Sequence, residues 1–443
     1  MTINKVTLET LRNQLGIDKE KFAQQLNLGI IDYNLFEKNN NYEMFPAHSI
    51  LRLREIMLKE EKKNFEEYKT RFPIEKKGIF SSSKILAHFD KLALLLNKST
   101  QERVGPITVE FHPSTICNHA CPGCTFNTGN LTKDKKFNFN MELLDQLILD
   151  LKELDVRGID ISGGGEPLCH PNIGVIIEKF AKEFDVGLVT NGALFNEDLI
   201  DIVLNNCTWC RISVDAGSQK IYNEMHGNGP NIDFNKIVDI ITAIGKRKQQ
   251  LNSKTTFGVS FLLTPSNFMD VLPAINIFKN IPGIDYFQTK PIVLSPGTRL
   301  DLNMIFWDKR LFDLLATIGS YSTDTFNVFT LSYKFSDMVL EEATGVPFDK
   351  CYGHPFYPTV AANGAIFICC HMLNNYFNDD LTGYYGKIDE TNTFKDIWLN
   401  INRFNVGKNI KTRFCPINCK LSETNKALQN FSIEKIQHKN FIN

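Results

Sequence analysis

The chain has no cysteine in its first 116 residues, although it has 11 in all. Three lie at positions 117, 121 and 124, three at 169, 207 and 210, and five between 351 and 419. An odd total without a secretory leader argues against a disulfide framework. Clustered thiols in a reducing compartment instead favour metal ligation or redox chemistry.

Long hydrophobic runs and an excess of one charge are also absent. No stretch of about 18 apolar residues occurs, which excludes a membrane-spanning helix, and the first residues, MTINKVTLETLRNQLG, lack the apolar segment of a secretory signal. The formal net charge is −1, so the chain as a whole has no basic surface for nucleic acid or acidic lipid. We expect a cytoplasmic protein without membrane partners.

Residues 1–100 differ in character from the rest and are predicted to form a helical accessory domain. Their pattern resembles a helix-turn-helix: a helix with Phe22, Ala23 and Leu26, a turn at Gly29, and a helix with Tyr33 and Phe36. Basic residues exceed acidic ones by only four here, which is too few to indicate DNA binding. For this domain we favour an accessory or docking role over DNA binding.

A strand–helix rhythm predicts an α/β domain over 105–300. Helical periods separate six apolar runs, at 106–111, 158–162, 186–190, 209–214, 256–263 and 284–294. Such alternation gives a parallel sheet covered by helices, either doubly wound or an incomplete (β/α)6 TIM-type barrel. Residues 301–345 are predicted to be a connecting helical segment.

The alternation over 209–215 favours the barrel. Trp209, Arg211, Ser213 and Asp215 share one face, and Cys210, Ile212 and Val214 share the other. Arg and Asp buried beneath helices without partners would be prohibitive, so this polar face should point into a ligand-filled interior. Cys210 is therefore read as core, and Cys169 as a small buried residue.

The first cysteine cluster directly follows the first strand, where active-site loops of βα folds lie. Cys117, Cys121 and Cys124 have the spacing Cys-x3-Cys-x2-Cys. Three thiolates leave one iron of a [4Fe–4S] cluster open, since a closed cluster takes four. A zinc site completed by His112 or His119 is the alternative.

This loop resembles the signature of the radical S-adenosylmethionine (SAM) superfamily. The resemblance implies that the open iron binds SAM and that one electron cleaves it to methionine and a 5′-deoxyadenosyl radical, which abstracts a substrate hydrogen. The family commonly has an aromatic residue before the third cysteine. Here that residue is Gly123, so adenine contacts should come from elsewhere, such as Phe126.

Further segments match the family's cofactor site. Ser162-Gly-Gly-Gly-Glu-Pro follows the second strand, and its glycines permit close backbone approach while its glutamate offers an acceptor for the cofactor's ammonium. The resemblance implies cofactor contacts for Gly163, Gly164, Gly165, Glu166, Thr190, Asn191 and Ser213. Asp215, Arg211 and His112 are predicted to face the substrate, and positions 288–291 are weaker candidates.

The second cysteine cluster predicts a small auxiliary domain over 346–425, followed by a tail. Cys351, Gly364 and Cys369 match the Cys-x(9–15)-Gly-x4-Cys pattern of the twitch domain, a shortened SPASM domain, around a hairpin turn at Asn363-Gly364. The resemblance implies an auxiliary [4Fe–4S] cluster held by Cys351, Cys369, Cys415 and Cys419, with Cys370 as a possible replacement for Cys369. A zinc ribbon is the alternative.

An electron acceptor beside the radical site favours substrate oxidation. We expect a radical SAM enzyme that oxidises or otherwise modifies a small polar, sugar- or polyol-like metabolite, served by an electron donor such as flavodoxin or ferredoxin. A peptide maturase is the first alternative. An iron–sulfur redox-sensing regulator that uses the N-terminal domain to read DNA is the second.

Overall fold

The computed structural model describes most of the chain. The described residues are 8–39, 82–96, 101–126, 135–227, 232–292, 309–331, 348–376, 381–412 and 419–430, with the short pieces 49, 52, 56, 334–335, 346 and 415–416. The predicted hairpin turn, the barrel strands and both cysteine clusters fall within them. The tail after 430 lies outside them, as does much of the segment 301–345.

A single ten-stranded sheet runs through the molecule in the order β10-β9-β8-β1-β2-β3-β4-β5-β6-β7. The first seven strands are parallel: β1 (Thr108–Phe111), β2 (Gly158–Ile161), β3 (Asp185–Thr190), β4 (Trp209–Ser213), β5 (Thr256–Leu263), β6 (Tyr286–Pro291) and β7 (Asn327–Phe329). The C-terminal part adds β8 (Thr359–Val360), β9 (Ala365–Phe367) and β10 (Tyr384–Lys387). This is the predicted partial TIM-type α/β fold.

Helices connect and cover these strands. The N-terminal ones are α1 (Leu8–Leu15), α2 (Lys19–Gln25), α3 (Ile30–Asn39) and α4 (Phe89–Leu96). The barrel carries α5 (Leu144–Glu153), α6 (Ile173–Ala181), α7 (Glu197–Asn206), α8 (Gln219–His226), α9 (Phe234–Leu251), α10 (Val271–Phe278) and α11 (Lys309–Ile318), and the C-terminal part α12 (Cys370–Tyr376), α13 (Phe394–Leu399), α14 (Ile401–Asn409) and α15 (Ser422–Asn430). None of the helices described is both long and apolar enough to cross a membrane.

Side-chain alternation on β4 agrees with the prediction. Cys210 and Ile212 are fully buried in the core between sheet and helices, whereas Arg211 and Ser213 are half-buried on the other face. The strand therefore presents its polar residues to the inside of the barrel, and its apolar residues pack beneath helices such as α7, where Val203 and Leu204 are buried.

The sheet extends further than the six predicted strands. The segment 301–345, predicted to be a connecting helical segment, contains α11 and also β7, which pairs with β6 through Phe287 and Val328. The predicted hairpin is confirmed, with Gly364 at φ 85° in its turn, but it is not a detached unit. Its first strand pairs in parallel with β1, joining Phe111 to Val360, so the C-terminal part continues the barrel sheet.

The N-terminal residues form two groups. In the first, α2 and α3 pack as the helix-turn-helix pattern predicts, with the rings of Phe22 and Tyr33 at 5.8 Å. The second group, 82–96, packs against the barrel through Ile85 and Leu92. Lys91 is buried there, where its ammonium donates to the carbonyl of Leu154 at 2.9 Å.

Candidate active site at the carboxyl ends of the strands

The loop after β1 brings the first three cysteines together. Cys117 Sγ accepts a hydrogen bond from the His119 amide at 3.4 Å, and the Cys124 amide donates to the Cys121 carbonyl at 3.1 Å. Burial raises the pKa of the Cys121 thiol, and the nearby Cys124 and Cys117 raise it further. Mutual repulsion of this kind requires the three sulfurs to lie close together.

Three cysteine thiols placed this close together suit the binding of a cationic centre. Bringing three thiolates together in a buried place is unfavourable unless positive charge compensates them, and bound iron supplies that charge. Three sulfurs at one loop fit a [4Fe–4S] cluster with one open iron. When bound, such a cluster supplies a one-electron reductant and a coordination position.

The glycine segment after β2 is fastened to the cysteine loop. The Gly165 amide donates to the Ser114 carbonyl, and the Glu166 amide donates to the Ile116 carbonyl, both at 2.8 Å. A Cβ on Gly165 would lie 2.3 Å from the Ile116 carbonyl oxygen, so only glycine allows this approach. The backbone of the glycine segment therefore borders the space beside Cys117.

Glu166 ties the glycine segment to the end of β3. Its fully buried carboxylate accepts from the Leu168 amide at 3.0 Å, the Thr190 hydroxyl at 2.5 Å and the Asn191 amide at 2.8 Å. Burial raises the pKa of the Glu166 carboxyl, whereas these hydrogen bonds lower it. Three donors use most of the roughly four acceptor directions of a carboxylate. Its first task is therefore to position the loop, and about one direction is left for an ammonium, the role expected of it.

Polar atoms without described partners surround the same space. They include His112 Nδ1, Asn118 Nδ2 and both ring nitrogens of His119, all buried. A Cβ on Gly164 would lie 3.5 Å from His112 Nδ1, which places that nitrogen against the glycine segment. Buried polar atoms normally find partners, so this space suits a polar ligand such as SAM.

A further side chain approaches the cysteine loop, and its role is not predicted from the sequence. His226, at the end of α8, places Nδ1 3.5 Å from Cys121 Sγ and donates from Nε2 to the Val214 carbonyl at 2.7 Å. With His119 and Cys121 it offers three possible metal-ligand atoms within 4.8 Å of one another. Ser218, the N-cap of α8, was the available signal for this helix.

Cys169 was expected to be a small buried core residue, but it lies beside the site. Burial raises the pKa of its thiol to about 12, Glu166 and Cys117 raise it too, and the Asn118 backbone amide lowers it. Only half-buried, it stands next to the cysteine loop because the turn after Glu166 brings it back over that loop. Spacing alone does not reveal this return.

The residues predicted to face the substrate lie inside the barrel. Arg211 donates to Gln288 Oε1 at 3.1 Å. Asp215, at φ 58°, accepts from the Leu262 amide at 2.6 Å, and its other oxygen lies 4.0 Å from His226 Nε2. Burial raises the pKa of Asp215, whereas His226, the Leu262 amide and Lys290 lower it. His112 instead contacts Glu110, at 3.3 Å.

Residues 111–271 match the model of the Radical SAM superfamily. The match includes the three-cysteine loop, the glycine segment and the ends of β3 and β4. These residues, about a third of the chain, carry the sequence features of a radical SAM domain. The family implies a [4Fe–4S] cluster and SAM as cofactors, which the donor set and the partnerless polar atoms fit.

Solved structures share this fold. Streptococcus suis SuiB bound to its precursor peptide SuiA has 14% sequence identity and a TM-score of 0.50, with 78% of each chain covered. Histidine-tagged anSMEcpe with bound AdoMet has 16% identity and a TM-score of 0.51, covering 72% of this chain and 88% of that one. No curated protein matches the chain. At these identities the likeness concerns the fold alone.

The radical SAM barrel is followed by a second group of thiols. Burial and the nearby Cys419 together raise the pKa of Cys351 to about 12; the pKa of Cys369 is raised by burial and then by Cys419 and Cys351. These three sulfurs therefore lie near one another. The amide of Leu421 donates to Cys419 Sγ at 3.4 Å, and Asn425 Nδ2 to Cys351 Sγ at 3.7 Å.

The remaining cysteines of this part have different surroundings. Cys370 is buried, and its pKa is raised by burial and by Glu110, so its thiol points toward β1 rather than toward Cys351. Cys415 is half-buried, and its amide donates to the Thr412 carbonyl at 2.8 Å. The structure thus distinguishes Cys369 from Cys370 by the directions in which their thiols point.

A charged network lies between the second set of cysteines and the barrel strands. Lys420, next to Cys419, lies 2.9 Å from Glu110 Oε2 and 3.0 Å from the Tyr357 hydroxyl, which donates to Asp160. Burial would raise the pKa of Glu110, but Lys420 and His112 hold it well below its usual range. This network links β1 and β2 of the radical SAM barrel to the C-terminal part.

Proposed function

We propose that this radical SAM enzyme oxidises a small polar metabolite of the sugar or polyol class, with a second iron–sulfur cluster taking up the electron. The observation that carries the proposal is the second thiol group, joined to the barrel sheet through β8 and β1. Removal of a hydrogen atom leaves a substrate radical, and a nearby one-electron acceptor makes oxidation the natural outcome.

The residues divide the work. Cys117, Cys121 and Cys124 hold the open cluster; the SAM site is formed by Gly163, Gly164, Gly165, Glu166, Thr190, Asn191 and Ser213. Asp215 and Arg211 face the substrate. The auxiliary cluster is closed by four thiolates, Cys351, Cys369, Cys415 and Cys419, and closure favours electron transfer over substrate ligation.

The polar barrel interior supports a polar substrate. Arg211, Ser260 and Gln288 all lie on barrel strands, and Ser260 and Gln288 are buried. Polar side chains kept away from water need hydrogen-bonding partners, and hydroxyl groups of a polyol provide both donors and acceptors. An external donor such as flavodoxin or ferredoxin supplies the reducing electron.

The parts of the chain have separate tasks in this proposal. Residues 105–300 form the catalytic barrel, 301–345 connect it to the auxiliary cluster domain of 346–425, and 426–443 form a tail. Residues 1–100 serve as an accessory unit. The packing of 82–96 against the barrel through Ile85 and Leu92 supports a docking role for that unit.

Peptide modification is the second candidate. The precursor peptide named for SuiB motivates it, together with an apolar face on α3, where Ile31 is 81% and Leu35 50% exposed. Exposed apolar side chains on an accessory helix suit a peptide segment with its own apolar face.

A protease test separates these candidates. The reconstituted, reduced protein is given SAM and a cell extract, and the rise in 5′-deoxyadenosine over the extract-free rate is measured. If the substrate is a small metabolite, the rise should survive protease digestion and ultrafiltration of the extract; loss of the rise on digestion supports a peptide substrate.

A second test concerns the auxiliary cluster. Cys351→Ala should keep the extract-free rate of 5′-deoxyadenosine formation but no longer form the oxidised product. If Cys351→Ala formed the oxidised product at the wild-type level, the electron-acceptor role of the auxiliary cluster would be refuted.

A further inference from the structure

Two cations inside the barrel lack an anionic partner. Arg211 on β4 lies over the Trp209 ring at 5.4 Å and donates to the neutral Gln288, while its buried Nε has no partner among the described residues. The side chain of Lys290 on β6 makes no hydrogen bond or ion pair to any residue that the structure describes. Both side chains are half-buried inside the barrel, and cations held there are normally paired with carboxylates, so we expect an anion beside them.

Strand register places these cations in the same part of the barrel. Ser213 on β4 pairs with Ser260 on β5, which pairs with Gln288 on β6. Because Arg211 reaches Gln288 from one layer below, its guanidinium points toward the carboxyl ends of the strands. Lys290 lies two residues further along β6, on the same side as Gln288.

The local field at Lys290 is positive. The pKa of its ammonium is lowered to about 7, first by burial and then by Arg211, Lys334 and Lys420, against a smaller opposing effect of Asp215. The carboxylate of Asp215 is already held by the Leu262 amide at 2.6 Å. It therefore does not neutralise the pair.

Lys420 differs from these two cations because its charge is compensated. It lies 2.9 Å from Glu110 and 3.6 Å from Asp160. The unmatched positive charge of the described barrel interior thus centres on Arg211 and Lys290, on β4 and β6. The predicted SAM contacts lie mainly at the ends of β2 and β3, so these cations are on the side left for the substrate.

The geometry points to an anion-binding subsite formed by Arg211 and Lys290, which holds a carboxylate or phosphate group of the substrate. This inference rests on the proposed function and narrows its substrate class to polar metabolites that carry an anionic oxygen group, such as sugar acids or sugar phosphates. The guanidinium offers a two-pronged hydrogen-bonding edge and the lysine a point charge, a combination suited to either group.

The test uses inorganic phosphate and acetate as probes of the reconstituted protein saturated with SAM. Phosphate binding is followed by broadening of its ³¹P resonance, and acetate binding by saturation transfer to its methyl group. Wild-type protein should bind at least one probe saturably, and the preferred probe identifies the anionic group. Arg211→Gln and Lys290→Met should each weaken binding about tenfold or more, as expected for loss of a charge-assisted hydrogen bond.

Controls separate charge from folding. Lys290→Arg keeps the charge and should bind the probe nearly as well as wild type, whereas Lys182→Met removes an exposed lysine and should change nothing. Iron content and thermal unfolding of each variant report folding. If Lys290→Met loses iron, probe binding by Arg211→Gln and Lys290→Arg decides whether the two cations form the subsite.

Two results would overturn the subsite: absence of saturable probe binding, or equal binding by wild type and both charge-removing variants. A third is weaker SAM binding in those variants with unchanged probe binding, which would assign the cations to the cofactor's carboxylate. The proposed function is scored separately, by extract-stimulated 5′-deoxyadenosine formation in wild-type protein. Its failure alongside intact anion binding is therefore distinguishable from failure of the subsite.

Discussion

At the scale of single residues, the direction of each thiol decides which cluster it can bind. The thiols of Cys117, Cys121 and Cys124 lie together in the loop after β1. Cys369 and Cys370 were indistinguishable because they are adjacent in the chain. Their separation depends on the start of α12, which turns one thiol toward Cys351 and the other toward Glu110.

This difference gives a matched pair of variants. Cys369→Ala should lower the iron content from about eight to about four per chain, because it removes a ligand of one of two four-iron clusters. Cys370→Ala should keep about eight, since its thiol points elsewhere. Iron and sulfide analysis of anaerobically reconstituted protein measures both. The reverse pattern would make Cys370 the ligand.

Glu166 provides a second prediction at this scale. In Glu166→Gln, the new amide group would face one of three donors, the Leu168 amide, the Thr190 hydroxyl or the Asn191 amide. A buried donor facing a donor costs about 1–3 kcal/mol. We expect a lower thermal unfolding temperature and weaker SAM binding. The exposed Glu178→Gln on α6 is the control, and an unfolding temperature equal to that of the control would contradict the positioning role.

At the scale of elements, periodicity predicted the barrel strands well because each has a buried apolar face. It missed β7, a strand of three residues with only Val328 well buried, since so short a run carries little periodic signal. It also missed α8, which brings His226 beside Cys121. The strand β7 is defined by its long-range pairing, whereas the local signal for α8 is its N-cap Ser218.

The glycine segment yields a prediction about backbone approach. A Cβ on Gly163 would lie 1.6 Å from the Gly165 carbonyl oxygen, whereas one on Gly164 would meet nothing closer than 3.5 Å. Gly163→Ala should therefore destabilise the protein by at least about 2 kcal/mol, in the range of overpacked sites, and Gly164→Ala by much less.

Chemical unfolding of the two variants under identical conditions measures this difference. Both variants replace a glycine with an alanine, so the effects of composition and helix propensity on stability cancel when the two proteins are compared. Equal stability of the two proteins would show that the segment relaxes readily and would contradict the tight approach of Gly163 to the Gly165 carbonyl.

At the scale of the whole molecule, the sequence predicted two cysteine modules but not how they join. The parallel pairing of β8 with β1 makes one sheet of both, and it brings Lys420 beside Glu110, 310 positions earlier in the chain. No local pattern encodes such a pair, because each residue is ordinary within its own segment. The Arg211 and Lys290 pair is hidden from the sequence for the same reason.

Lys420→Met tests this junction. Glu110 is 5% exposed and would lose its ion pair, while Lys420 itself is 37% exposed, so solvent reduces the effect. We expect a loss of about 1–3 kcal/mol, below the cost of breaking a fully buried pair. Chemical unfolding measures it, with Lys395→Met, an exposed ion pair with Glu153, as the control. A loss no larger than in the control would mean that the pair contributes nothing to joining the modules.

The central claim is that the three cysteines after β1 hold the cluster that cleaves SAM. Its most direct test is the formation of 5′-deoxyadenosine by the anaerobically reconstituted, reduced protein given SAM. Wild-type protein and Cys210→Ala, which alters a buried core thiol, should both form it, and Cys124→Ala should form none above background. Formation by Cys124→Ala at the wild-type rate, or none by wild-type protein, would contradict the account.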